Sequence, residues 1–138
     1  MNTKKIIHRG KLYAVYFDVL DANEGLSFIS EDEDFIQVGI WNYQPKKVLP
    51  AHFHNEYVRE ATRTCESIFV VEGKVKCNIY TKSGKFIDTF FLEKNEMAMQ
   101  LYGVHEYEIL NKSIVIETKN GPYFGPEIDR KRINVKKN

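Results

Sequence analysis

Imidazole and carboxylate are the side chains that bind transition metals and move protons near neutral pH, and this chain sets a few of them at telling positions. Of its four histidines, two form His52-Phe53-His54 at the end of an extended run. Strand geometry of period two puts both imidazoles on one face and Phe53 on the other. Glu66 opens a later run and shares its face with Ile68 and Val70, and His105 heads another run just after Gly103-Val104. Three imidazoles and one carboxylate form a borderline-hard donor set, suited to one divalent ion of iron, manganese, nickel, cobalt, copper or zinc. Such a ligand set leaves coordination positions open, as a catalytic ion requires. Glu66 and His105 are therefore the candidates for catalysis as well as for metal binding. His8, alone before Arg9-Gly10, reads as an N-terminal surface residue.

The elements that must carry these residues are strands. Leu12 to Leu20 alternates Tyr13, Val15, Phe17 and Val19 against Ala14, Tyr16 and Asp18, the pattern of a strand with two differently covered faces. A polar connection spans Asp21 to Asp34. Further strands are expected over Phe35 to Tyr43, Val48 to His54 and Cys65 to Glu72, with Gly73 ending the last. Asn55 to Thr64 lacks an amphipathic stripe and reads as a loop. Lys74 to Tyr80 and Phe86 to Leu92 form a hairpin across Thr81-Lys82-Ser83-Gly84-Lys85, a Gly-containing connection. Met97 to Tyr102, His105 to Leu110 and Ile114 to Thr118 complete eight or nine short strands with regular turn signals. The fold class that follows is all-β, a sandwich or barrel.

At these residues the chain resembles the cupin superfamily. Its first motif, His-x-His, a gap, Glu, six residues and Gly, is met by His52, His54, Glu66 and Gly73; its second is represented by Gly103-Val104-His105. The resemblance covers about residues 36–118 and implies a double-stranded β-helix, or jelly-roll, barrel with one metal ion on His52, His54, Glu66 and His105. Two features depart from the family pattern. Asn55 to Cys65 puts eleven residues between the second His and the Glu, where three or four are common, and the second motif lacks its Pro. The tail, Asn120-Gly121-Pro122-Tyr123-Phe124-Gly125-Pro126, is similar to that of small bacterial cupins, some of them linked to surface-glycan biosynthesis.

The resemblance implies a metal-dependent enzyme for a small polar substrate, with isomerisation or epimerisation of a sugar or sugar nucleotide as one form. Iron(II)-dependent cleavage by dioxygen is the alternative, and a non-catalytic small-molecule binding module is another. Metal-free isomerisation, as in the sugar epimerase branch of the barrel, uses a His–Asp pair; the acids nearest a histidine in the chain are Glu56 and Glu106. For substrate contacts, Arg59 and Arg63 suit a carboxylate or phosphate. Gln100 and Tyr102 are candidate polar handles, and Tyr107 is a candidate pocket wall because alternation turns Glu106 away.

The 138 residues fit one domain, 1–138, whose segment 119–138 packs on the barrel or on a second subunit. Net charge is +1, so no global field recruits nucleic acid or an anionic membrane. The basic run Asp129-Arg130-Lys131-Arg132, then Lys136-Lys137, reads as a solvated terminus. No apolar run reaches the ~20 residues of a membrane span, and Met1 to Arg9 has no signal-type core. Two cysteines make no disulfide framework, and Cys77 is expected as a reduced core thiol. These features lead us to expect a cytoplasmic protein acting on a small molecule, as a homodimer, with no nucleic-acid or membrane partner.

Overall fold

The alternation at Leu12 becomes a strand covered on both faces. In the computed structural model, which describes residues 2–135, β1 (Lys4–His8) and β2 (Lys11–Asp18) lie in a five-stranded antiparallel sheet with β5 (Glu66–Glu72), β8 (Glu96–Gln100) and β10 (Ile114–Lys119). Its order is β1-β2-β8-β5-β10. A second sheet has the order β7-β6-β9, built from β6 (Lys74–Tyr80), β7 (Phe86–Glu93) and β9 (Val104–Ile109); β3 (Gly25–Phe28) and β4 (Gly39–Asn42) form a separate antiparallel pair. The protein is all-β and antiparallel, with one helical turn, α1 (Pro126–Asp129), and a 3-10 turn at Val19–Asp21. Among the described residues no ladder joins the two larger sheets, so hydrogen bonding leaves them open rather than closed into one cylinder.

Period two divides the apolar residues between two cores. Ala14, Ile68, Val70 and Ala98 of the five-stranded sheet meet Val75, Cys77, Ile79, Phe90 and Leu92 of the three-stranded sheet. Val15, Phe17 and Met99 point the other way, onto Ile36, Val38, Cys65 and Leu101. Burial pushes the Cys77 thiol up to about 12, so it stays protonated and inert, as expected of a reduced core cysteine.

The chain passes between the sheets at Gly73, whose φ of +97° and contact with Ser113 leave no room for a Cβ. Gly103, which precedes β9, is equally constrained. Its φ is +81°, and a Cβ there would strike the Tyr13 ring and the Tyr80 carbonyl. That close approach aims the start of β9 back across β6.

Three expectations need correction. The strand expected over Phe35 to Tyr43 is confined to Gly39–Asn42. Ile36 and Val38 are buried, but the Gln37 side chain donates to the Glu31 and Asp34 carbonyls at 3.0 Å and accepts from Ser30 Oγ at 3.0 Å. Side-chain bonds thus replace a ladder there. Within the polar connection, Leu26 and Phe28 alternate sufficiently to form β3.

Val48 to His54 is not a strand either. Pro45 and Pro50 remove donors and restrict the residues before them. Val48 and Phe53 lie on the surface, 77% and 85% exposed, so no buried face draws this segment onto a sheet. β1, unforeseen, is held by the buried Ile6.

The start of the tail and α1 are tied to the segment that leads into β5. The Asn120 side chain accepts from the Cys65 N–H at 2.7 Å and donates to the Arg63 carbonyl at 3.2 Å, and Thr64 Oγ1 donates to Asp129 at 2.7 Å. Lys136 and Lys137 lie outside the described residues. Among the described residues no helix is long and apolar enough to cross a membrane.

Candidate functional site

At one end of the inter-sheet core the inward positions change from apolar to polar. Glu66 continues the face of Ile68 and Val70 on β5, and Gln100 stands opposite it on β8. From the other sheet, His105 and Tyr107 follow the inward face of β9, paired with Ile79 and Cys77. Four polar side chains therefore converge from two sheets at the base of a cleft of about 730 Å³.

The central contact joins the sheets. His105 Nε2 lies 2.8 Å from Glu66 Oε1, and the Tyr107 hydroxyl donates to the same oxygen at 3.2 Å. An ionised carboxylate only accepts, so Nε2 donates this bond, and in the neutral form of the ring Nδ1 keeps its lone pair. The Glu66 side chain is 12% exposed and that of His105 34%, so the carboxylate is enclosed while the ring reaches the cleft.

Burial opposes ionisation of Glu66. The hydrogen bond and charge of His105 outweigh it, with help from Tyr107 and Lys119, and the carboxyl lies below its ordinary range. Burial and the neighbouring Glu66 charge raise the Tyr107 phenol well above its ordinary range, so it remains a donor.

A pH dependence follows. A carboxyl whose folded pKa is depressed stabilises the fold above its unfolded pKa, and this contribution is lost as pH falls through the lower folded value. Urea unfolding followed from about pH 7 to about pH 3 is expected to show a shallower acid loss in Glu66→Gln than in the parent. Identical acid limbs would show that His105 does not hold this carboxylate ionised.

Of the residues proposed from sequence, Glu66, His105, Arg63, Gln100, Tyr102 and Tyr107 all line this cleft. Alternation sets Glu106 on the opposite face of the strand from His105 and Tyr107, where its carboxylate accepts from Asn78 at 3.0 Å and Tyr80 at 2.9 Å, although the residue still borders the cleft. Arg59 stacks on Tyr57 at 3.8 Å in the exposed segment and lies outside the cleft. His8 is half-buried at the end of β1, edge-on to Tyr13 at 6.1 Å.

His52 and His54 are the principal departure. They lie in an exposed, irregular segment, their rings 5.2 Å apart, and the His52 Nδ1–H bonds the Pro50 carbonyl at 2.9 Å. That bond leaves His52 Nε2 with a free lone pair, the state a metal ligand needs. One ion on all four expected ligands requires every donor within ~2.0–2.2 Å of one point. Here Glu66 and His105 bond each other, and among the described residues no three His, Cys, Asp or Glu side chains are grouped to hold an ion. The donor types suit a metal; the arrangement unites Glu66 with His105 and leaves the other two apart.

Sequence reasoning did not foresee Lys82 and Lys119, nor that Arg130, Lys131 and Arg132 border the cleft while remaining solvated. Lys82 sits in a hairpin loop, Lys119 ends β10 and the others follow it, so only the return of the tail across the sheets brings them together. No protein-family model, curated protein or solved structure matches the chain.

Proposed function

We propose that the chain is a cupin-type jelly-roll protein that transfers protons on a small polar substrate, in the manner of a sugar isomerase or epimerase. The His105–Glu66 pair carries this reading. A buried carboxylate that fixes the tautomer of a cleft-facing imidazole is the arrangement of an oriented general base. Nδ1 of His105 removes a proton from the carbon beside a substrate carbonyl, the C–H electron pair passes into an enolate, and Glu66 stabilises the resulting imidazolium. The imidazolium returns the proton to the neighbouring carbon while the adjacent hydroxyl's proton passes to the former carbonyl oxygen, which gives the isomer; the epimer forms when water instead delivers a proton to the opposite face and the imidazolium loses its own to solvent. The Tyr107 hydroxyl holds Glu66 in position. The partner acid is thus Glu66 on another strand, rather than Glu56 or Glu106.

The metal-dependent form of the same activity is a second reading, favoured by the donor set and by the free Nε2 of His52. The proton transfer itself needs no metal, and His52 and His54 are not grouped with Glu66 and His105. The same reading keeps the homodimer, with the exposed Tyr123 and Phe124 as its contact residues.

The test is hydrogen exchange into substrate. The protein, with its metal content measured as purified, is incubated in D₂O with a panel of sugar phosphates and nucleotide-linked sugars, before and after chelation. Deuterium uptake that persists after chelation is expected. Uptake restored only by one divalent metal would transfer the function to the metal-dependent reading. Oxygen consumption with iron(II) would favour a dioxygenase. Ligand binding with no chemistry would leave a binding module.

A further inference from the structure

The charges bordering the cleft are unevenly partnered. Its four carboxylates are all engaged: Glu66 with His105, Glu106 with Asn78 and Tyr80, Glu117 with Lys119 at 2.7 Å, and Asp129 with Thr64. Of its cations, Lys119 has Glu117, but Arg63, Lys82, Arg130, Lys131 and Arg132 have no carboxylate within ion-pair distance among the described residues. Among its described residues, a chain of net charge +1 has concentrated positive charge without carboxylate partners at one opening.

Arg63 is also held in place. Its Nε–H donates to the Leu101 carbonyl at 3.0 Å, and its guanidinium carbon lies 4.7 Å from the Phe35 ring centroid and 5.9 Å from that of Tyr102. Beyond an interaction with the Cys65 sulfur, no carboxylate among the described residues takes its terminal N–H groups, on a side chain whose freedom is already restricted.

A second, independent feature lies at the floor. Gln100 is 3% exposed and lines the cleft, and among the described residues neither its amide oxygen nor its amide nitrogen has a hydrogen-bond partner. A buried amide without partners needs an acceptor and a donor from outside the chain.

We infer that the cleft takes a phosphorylated polyhydroxyl compound, its phosphate held at the rim by Arg63, Lys82 and the Arg130–Arg132 run and a hydroxyl pair held by Gln100. This assignment rests on the proposed function for the location of the site but not for its chemistry. A phosphate fits better than a carboxylate because its greater charge and additional oxygens engage several separated cations at once. Gln100 gives directionality: a hydroxyl pair both donates and accepts, as an amide demands.

Titration calorimetry of the full chain with inorganic pyrophosphate tests the rim. Binding is expected to weaken as salt rises. Arg63→Gln combined with Lys82→Gln is expected to reduce affinity by about tenfold to a hundredfold. Arg59→Gln, which removes a cation that lies outside the cleft, is expected to leave pyrophosphate affinity unchanged. Malonate serves as the carboxylate control, and circular dichroism confirms that each variant is folded.

No pyrophosphate binding, equal affinity in the double variant, or malonate binding as tightly as pyrophosphate would overturn the phosphate assignment. The two readings fail separately. Pyrophosphate binding lost in the double variant, with no deuterium uptake into any compound, retains the phosphate site and removes the proton-transfer function. Deuterium uptake into a compound of the panel, with no pyrophosphate binding, does the reverse.

Discussion

His105→Gln is expected to lower the rate of deuterium incorporation into bound substrate by roughly 10²- to 10⁴-fold, the usual contribution of a positioned general base. Glutamine retains a polar side chain able to bond Glu66 but has no basic nitrogen, so the loss reports proton transfer rather than a collapsed site. The effect should fall on kcat, with KM changed little, because the imidazole acts on the reacting carbon rather than on the groups that bind the substrate. Glu66→Gln should also lower kcat. It replaces a carboxylate that receives the Nε2–H with an amide that no longer stabilises the imidazolium and can reverse the tautomer. The pair acts as a unit, so the double variant should be little worse than His105→Gln alone. Additive losses would mean that the 2.8 Å contact is structural, and unchanged turnover in His105→Gln would remove the base assignment altogether.

The sequence disclosed those parts of the molecule in which local pattern and tertiary demand agree. The turn before β6, the β6–β7 hairpin and the start of β9 were legible because alternating apolar residues are interrupted by Gly73, Gly84 and Gly103. Each of these glycines has a positive φ, a conformation that few other residues adopt readily. Glu66, His105 and Tyr107 were legible for the same reason, since period two assigns each a face once its strand is known.

The segment containing His52 and His54 shows where such reasoning stops. His-x-His alternates as well as any strand, but alternation specifies a strand only when one face is buried and a neighbour offers a ladder. Pro45 and Pro50 deny donors, and the exposed Val48 and Phe53 supply no buried face. The cationic rim was illegible for a different reason. Lys82 and the Arg130–Arg132 run lie far apart in the chain, and their meeting depends on the path of the tail, fixed by Asn120 bonding the Cys65 N–H and Thr64 bonding Asp129. Local charge pattern carries no information about such closure.

Gln100→Met is expected to raise stability while weakening ligand binding. The parent buries an amide donor and acceptor with no partner, and an unsatisfied buried polar group costs about 1–3 kcal/mol. Methionine has similar length and flexibility and fits among Ala14, Ile68 and Ala98 without new polar atoms. A gain of ~1 kcal/mol should appear in thermal unfolding as a rise of about 2–8 °C. The direction distinguishes the possible roles of this residue. A core glutamine satisfied by ordered water would lose those bonds on substitution, and the melting temperature would fall. A glutamine kept for a ligand carries its cost only in the free protein. The parent should therefore gain more stability than Gln100→Met from a saturating phosphorylated sugar, because ligand binding to the folded state adds in proportion to its affinity. A higher melting temperature combined with weaker ligand-induced stabilisation is the pattern of a binding residue maintained against the stability of its own fold.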